Sequence, residues 1–294
     1  MTNLTFKEFE NIKDCREIWD SLVDIKTIYD EWDFRIAFIG NNLIHFKVAY
    51  DNGLPVALLP MQFNPKKNSL EFFGGNFMEN NRIYVKNGFE HLRKELIESI
   101  QEKVILRCIM PEDEFIETLP IDDYTFRLNL ENFDTLESYF MFVPKKLRNN
   151  FRKAVKNVTP LNPSIDYNSY DRLDDLISLS KKSHGETTLF NDPDISGGFY
   201  NLLKTNFNIT VTTIEFENIP QSVSIAVEYG DTYYALMSAS NREFVSGIGT
   251  FEKLKDIEYA IDHKFKFIDM ARADCNWKEV WKFPKYPLYS YEKL

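Results

Sequence analysis

One local arrangement occurs twice in this chain, and the repetition limits the folds open to it. Phe89-Glu90-x-Leu92 and Phe251-Glu252-x-Leu254 each open a helical segment, and each segment runs directly into an apolar strand. Upstream of both lies a strand–turn–strand pattern. A recurring order of hairpin, helix and strand points to a duplicated α/β unit, a mixed sheet flanked by helices. With 294 residues, the chain has room for two such units of about 130 to 160 residues each. The boundary is expected near Asn132, giving domains over residues 1–132 and 133–294.

Periodicity fills in the elements. Ile18, Trp19 and Leu22 stand at helical spacing after Asp14, which is placed to cap a helix over 14–23. A second, aromatic-rich helix is expected over 28–39. Two apolar runs, 43–50 and 54–62, flank Asp51-Asn52-Gly53, a strong hairpin signal. Pro60 suits a strand end better than a central strand interior. A strand over 70–73, a helix over 88–101 and strands over 104–109 and 124–130 complete the first half. In the second half the pattern predicts helices over 136–142, 172–183, 195–205 and 251–263. Strands are expected over 164–167, 209–216, 222–229, 232–240, 265–270 and 287–291, with a last helix over 276–283.

Several function classes are excluded early. The cysteines, Cys15, Cys108 and Cys275, are distant and odd in number, so they draw no disulfide framework or CxxC pair. Neither an HExxH motif nor a zinc spacing arises among His45, His91, His184 and His263, so no metal is expected. The polar start MTNLTFKEFENIKD is unlike a signal peptide, and no apolar run reaches the ~18 to 20 residues of a membrane span. A cytoplasmic location follows as the expectation. The net charge of −10 opposes long-range attraction to nucleic acid or anionic membrane but leaves room for a local basic site.

Such a site is present. Lys145, Lys146, Arg148, Arg152, Lys153 and Lys156 place six positive charges in twelve residues after Pro144, with Leu147, Phe151 and Val155 forming the inward face. The cluster suits phosphate, as in a coenzyme, a nucleotide sugar or tRNA, and equally suits a solvated helix face. The strongest local signal is Ser246-Gly247-Ile248-Gly249-Thr250, between a strand and a helix. Its glycines let backbone N–H groups turn outward, and the helix N-terminus adds partial positive charge. No GK[ST] follows and the third glycine of a dinucleotide fingerprint is missing. The same residues also read as a backbone necessity at Gly249 and a cap at Thr250.

The run Tyr233-Tyr234-Ala235-Leu236 through Gly249, the helix to His263, Phe267-Ile268-Asp269-Met270 and Asn276-Trp277-Lys278 together resemble the C-terminal half of the GNAT acyltransferase superfamily. They are similar in particular to its CelD-like or Fem-like branch, where two GNAT domains stand in tandem. The segment Lys145 to Ala154 resembles the Arg-rich helix that opens the second domain there. Trp19, Leu58-Leu59-Pro60 and Phe72-Phe73-Gly74 extend a looser likeness over the first half. The resemblance implies an acyltransferase taking acetyl-CoA or another acyl-CoA as co-substrate. Its donor contacts would be Tyr234, Ser240, Arg242, Ser246, Gly247, Ile248, Gly249 and Thr250. Acceptor contacts are expected from Arg148, Arg152, His184, Glu186 and Trp277. Glu228 and Asp269 are the candidate general bases by position, and Lys278 the candidate for stabilising a developing oxyanion. Cys275 has no nearby histidine to make it a nucleophile, so direct transfer is expected. The chain departs from the family at Phe244, where an Arg or Gln is usual, and at Asp269-Met270-Ala271 in place of Asp-Phe-Gly. Two alternatives therefore stand beside the first: an aminoacyl-tRNA-dependent transferase of Fem type, and an inactive GNAT fold used for binding. The acceptor is expected to be a small amine or hydroxyl compound, and the chain a monomer or homodimer.

Overall fold

The computed structural model describes residues 4–273 and 276–294. Its contacts divide the chain into a unit of Met1–Tyr124 with Pro287–Leu294, and a second unit of Thr125–Tyr286. The division falls at Tyr124/Thr125, with the last residues given to the first unit, whereas the sequence reading placed it near Asn132 and kept the C-terminus in the second.

In the first unit β1 (Leu4–Phe9) leads to α1 (Ile12–Leu22). The cap of α1 is Asn11, whose Oδ1 accepts from the N–H groups of Lys13 and Asp14 at 2.9 and 3.3 Å. Asp14 lies in the first turn, where its charge favours the helix dipole. The helix expected over 28–39 is split into a 3₁₀ turn, Ile28–Asp30, and α2 (Trp32–Ala37). The Asp30 carboxylate causes the break: it turns back to accept from the amides of Lys26 and Thr27 and from Thr27 Oγ1.

The chain continues through β2 (Leu43–Asp51), β3 (Leu54–Asn64), β4 (Ser69–Phe72), β5 (Tyr84–Val85), α3 (Leu92–Glu98) and β6 (Val104–Ile109). A short α4 (Glu114–Glu117) follows. The sheet order is β1-β2-β3-β4-β6, with β5 on β3, and Tyr289 to Lys293 of the C-terminal strand Lys285–Lys293 pair with β6. Pro60 lies inside β3 and does not end it. Its carbonyl accepts from Phe73 N–H at 3.1 Å, so its missing N–H points to that same edge, between the stretches paired with β5 and β4.

Apolar alternation on β3 packs Ala57, Leu59 and Met61 against Leu92, Leu96 and Ile97 of α3. The other face holds an aromatic cluster of Trp19, Trp32, Phe46, Phe73 and Tyr84. Among these lies a buried charge network. Asp30 accepts from Arg82 Nη1 at 2.9 Å and Tyr84 OH at 2.8 Å. Arg35, with no exposed surface, donates to the Phe73 and Asn80 carbonyls and to Asn81 Oδ1.

The second unit comprises β7 (Ile121–Asn129, from Thr125), α5 (Leu136–Phe142), α6 (Lys145–Val158), β8 (Ser164–Asp166), α7 (Leu173–His184), α8 (Pro193–Leu202), β9 (Asn208–Phe216), β10 (Ile219–Tyr229), β11 (Thr232–Ser240), α9 (Ile248–Asp262) and β12 (Phe267–Arg272). The strand order is β7-β12-β11-β10-β9-β8. The β11–α9–β12 segment is a parallel crossover, the connection that requires an intervening helix. Residues 276–283 form turns in place of the expected helix. Trp281 N–H reaches the Trp277 carbonyl, but Phe283 N–H bonds five residues back to Lys278, and Lys282 takes φ +68°. The left-handed Lys282 and the bond from Phe283 back to Lys278 close the turn after its first helical bond, as at a helix C-terminus.

Candidate active site

The ladder between β11 and β12 is three residue pairs long: Thr232 with Phe267, Tyr233 with Ile268 and Tyr234 with Asp269. Both strands then continue but separate. On β11 one extra residue, Leu236, stands between Ala235 and Met237, which pair with Ala226 and Ile225 of β10. On β12 the register with β7 shifts between Asp269 and Arg272, and Ala271 takes φ +62°. Bulges re-aim a strand and end its pairing. Here one on each strand opens a cleft beside Ala235 to Ser240.

The β12 bulge is fastened from within. Asp269, 3% exposed, accepts the Ala271 N–H at 2.8 Å through Oδ1. Lys278, 5% exposed, donates to the carbonyls of Ala271 and Arg272 at 3.0 and 2.6 Å and lies over the Phe126 ring. Burial pushes the Asp269 carboxyl up, opposed by the Ala271 amide and by the charges of Arg127 and Lys278. Asp269 and Lys278, expected as base and oxyanion stabiliser, thus both hold the backbone at the edge of the cleft.

Beyond the cleft, β11 ends in the loop 241–247, anchored by Asn241, whose N–H and Nδ2 each donate to Gln221 at 2.8 Å. Gly247 adopts φ +95°, and a Cβ there would lie 2.9 Å from Ala154 Cβ of α6. Its glycine is therefore dictated by backbone conformation and by the approach of α6. Asn157 Nδ2 donates to the Ser246 carbonyl at 3.1 Å, tying α6 to the loop again. A Cβ on Gly249 would make ordinary contact, 3.5 Å from Ser240 Oγ. The residue before the first turn of α9 is Gly247, not Thr250, and no side chain caps that turn. Ile248 N–H turns back to the Val245 carbonyl at 3.3 Å and Phe251 N–H to the Gly247 carbonyl at 2.8 Å, so the N–H groups of Gly249 and Thr250 are the ones left for solvent or a ligand.

Ser246, Gly247, Gly249 and Thr250 stand at this helix start beside Ala154 and Asn157 of α6 and near Ser240; Lys153 and Lys156 of the same helix are exposed. Ile248 instead packs into the core with Val158, Ile214, Phe216 and Phe251. Tyr234 is buried on β11, and Arg242 is exposed on the loop. Phe244 rests on Phe216, ring centroids 4.7 Å apart. Glu228 pairs with Tyr233 near the β10–β11 turn, whereas Ser222 pairs with Ser240 at the loop end, about 20 Å away along the strand. Its carboxylate accepts from Asn208, from Thr210 Oγ1 at 2.6 Å and from Tyr259 OH at 2.7 Å. That environment suits a structural acceptor. Burial and Glu228 push the Tyr259 hydroxyl up to about 12.

His184, the last residue of α7, and Glu186 just past it are exposed; Trp277 is half-buried against Trp281 and Phe283. Arg152 is paired with Glu137, and Arg148 donates to Met141 Sδ at 2.9 Å. Cys275 lies outside the described residues. Sequence reasoning missed Asn157 and Ala154. The small residue at 154, among the larger Leu147 and Phe151 of the inward face, was the available signal of close approach.

The underside of α9 adds an unforeseen polar cluster. Lys253 Nζ lies 3.4 Å from Glu252 and 3.3 Å from Asp256, and Asp256 accepts from Ser224 and Tyr233. Burial, reinforced by Asp256 and opposed by Lys253, pushes the Glu252 carboxyl up to about 8.

Residues 145–279 match the family model described as an acetyltransferase (GNAT) domain. None of the curated proteins matches the chain in sequence. Among solved structures, FemX aligns with a TM-score of 0.58 at 11% identity, covering 97% of this chain and 96% of its own. A tandem GNAT protein from the clavulanic acid biosynthesis pathway gives 0.57 at 11%, covering 99% and 98%. The L-PGS structure from Bacillus licheniformis gives 0.61 at 13%, covering 96% and 91%. At such identities the likeness speaks to the fold, which is the GNAT fold in tandem. The second unit carries an acyltransferase-type domain of the GNAT superfamily.

Proposed function

We propose that this GNAT domain transfers an acyl group from acyl-CoA directly to an amine or hydroxyl, on a small metabolite or cell-envelope precursor in the cytoplasm. The observation that carries the reading is the paired bulge: β11 and β12 part immediately beside an uncapped helix start. The backbone of Ala235 to Ser240 holds the donor carbonyl. The first turn of α9, with Lys153, Lys156 and Asn157, holds the donor phosphates. Asp269 and Lys278 act as positioning residues, keeping the β12 edge apart from β11. Acetyl-CoA, titrated calorimetrically into the protein, is expected to bind saturably; no binding by any acyl-CoA removes this reading.

A second reading, aminoacyl transfer from tRNA, is favoured by one feature. Lys145, Lys146, Lys153 and Lys156 expose positive charge along about 17 Å of α6, which exceeds the reach of a single diphosphate. Binding of tRNA that falls steeply with salt, together with indifference to acyl-CoA, would establish it.

A further inference from the structure

Six of the chain's 35 cationic residues and none of its 45 acidic ones fall between Ser138 and Ile165. That stretch also carries an apolar protrusion at the turn joining α5 to α6. Met141 and Phe142 are adjacent and 59% and 52% exposed, although α5 has Tyr139 and Phe140 buried on its inner side. Lys145 and Lys146 follow within one turn, both exposed, and Arg148 is drawn against Met141 by its bond to the sulfur. Leu161, past the other end of α6, is 49% exposed.

Phe142 also meets the Phe133 ring, centroids 5.3 Å apart, yet it and Met141 each leave about half of their surface open beside a cluster of cations, which makes an amphiphilic surface. A double-helical nucleic acid would use the cations but would gain little from Met141 and Phe142, and a single strand could stack on Phe142 alone. A bilayer containing anionic lipid uses both, because the apolar pair enters the headgroup–acyl boundary while the lysines meet the phosphates. The chain's net −10 does not prevent this. Charges separated by more than the ~8 Å Debye length of physiological salt are largely screened, so the local cluster dominates at contact.

We propose that the α5–α6 corner docks the protein onto an anionic lipid surface through Met141, Phe142, Lys145 and Lys146. The proposal is independent of the donor assignment, and its test contains no donor. The full chain is sedimented with phosphatidylcholine vesicles, with and without phosphatidylglycerol, at low and high salt. Binding is expected only with phosphatidylglycerol and is expected to weaken with salt. The double variant Met141→Ser/Phe142→Ser should lose roughly tenfold in vesicle affinity, and Lys145→Glu/Lys146→Glu at least as much. The control pair Leu54→Ser and Lys204→Glu, at exposed positions elsewhere, should bind as the unaltered chain does. Unchanged thermal melting keeps misfolding out of the comparison. Absence of vesicle binding, or equal binding by Met141→Ser/Phe142→Ser, overturns the proposal. So does tight binding of an RNA oligonucleotide in place of vesicles, regardless of that substitution, which would assign the surface to nucleic acid.

Discussion

The two units use one topology for different ends. In both, an antiparallel hairpin leads to a strand, then to a helix, then to a parallel neighbour: β4–α3–β6 in the first unit and β11–α9–β12 in the second. After β4 the chain passes through Gly74, whose Cβ would sit 2.7 Å from Met78 Cγ, and enters the cluster built on Arg35, Asp30, Arg82 and Tyr84. The helix that follows has seven residues. After β11 the chain passes through Gly247 to a 15-residue helix whose start no side chain caps, beside α6, which carries exposed cations. A buried charge network costs desolvation and suits a fixed scaffold. An uncapped helix end leaves hydrogen-bonding capacity for a ligand. The contrast makes the first unit structural at this position and leaves the second one open.

The sharpest way to break that contrast is Arg35→Ala. It strands the Phe73 and Asn80 carbonyls and unbalances Asp30, so roughly 3 to 5 kcal/mol of stability should be lost in urea unfolding. A loss below 1 kcal/mol would mean that the network is not what holds the first unit. Gly247→Ala comes next. Its Cβ meets Ala154 and its φ is positive, so about 2 kcal/mol should be lost, whereas Gly249→Ala should unfold as the unaltered protein does. Equal melting of the two glycine variants would remove the structural role given to Gly247.

A pH profile probes the underside of α9. Because the Glu252 carboxyl is held at about 8 in the folded chain against 4.5 ordinarily, the protonated form is favoured by folding. The stability it contributes is full below 4.5 and is lost as pH rises through about 8. Glu252→Gln should flatten the profile over that window, as measured by melting temperature at successive pH values. A profile of unchanged slope would show that another group titrates there. The smallest effect on the fold is expected from Lys153→Ala/Lys156→Ala. Stability should stay within about 0.5 kcal/mol, while acyl-CoA affinity drops several-fold and becomes less salt-dependent. Unchanged affinity would detach α6 from the donor site.

What was legible in the sequence was local. Asp51-Asn52-Gly53 set the first hairpin, Pro144 marked the start of α6 at Lys145, and strand 104–109 was found at both ends. The glycine loop and the basic helix were visible, but their contact through Ala154 and Asn157 was not, because it joins residues about 90 positions apart. Asp30 and Arg35 read as ordinary charges on a helix, since their partners at 73–84 are known only once the chain has folded. Residues 276–283 have the apolar spacing of a helix, but the left-handed Lys282, a conformation the sequence does not announce, ends the helical turn early. Glu228 stands at a strand end, where a general base could sit, but Asn208, Thr210 and Tyr259 already occupy its oxygens.

The central claim is that the second unit's helix start receives a phosphate-bearing acyl donor. Calorimetric titration of acetyl-CoA into the unaltered chain and into Gly249→Leu tests it most directly, because Gly249 borders the cleft and a small addition there meets only Ser240. The account predicts saturable binding to the former and its loss in the latter at undiminished melting temperature. Equal binding by both proteins, or none by either, would contradict it.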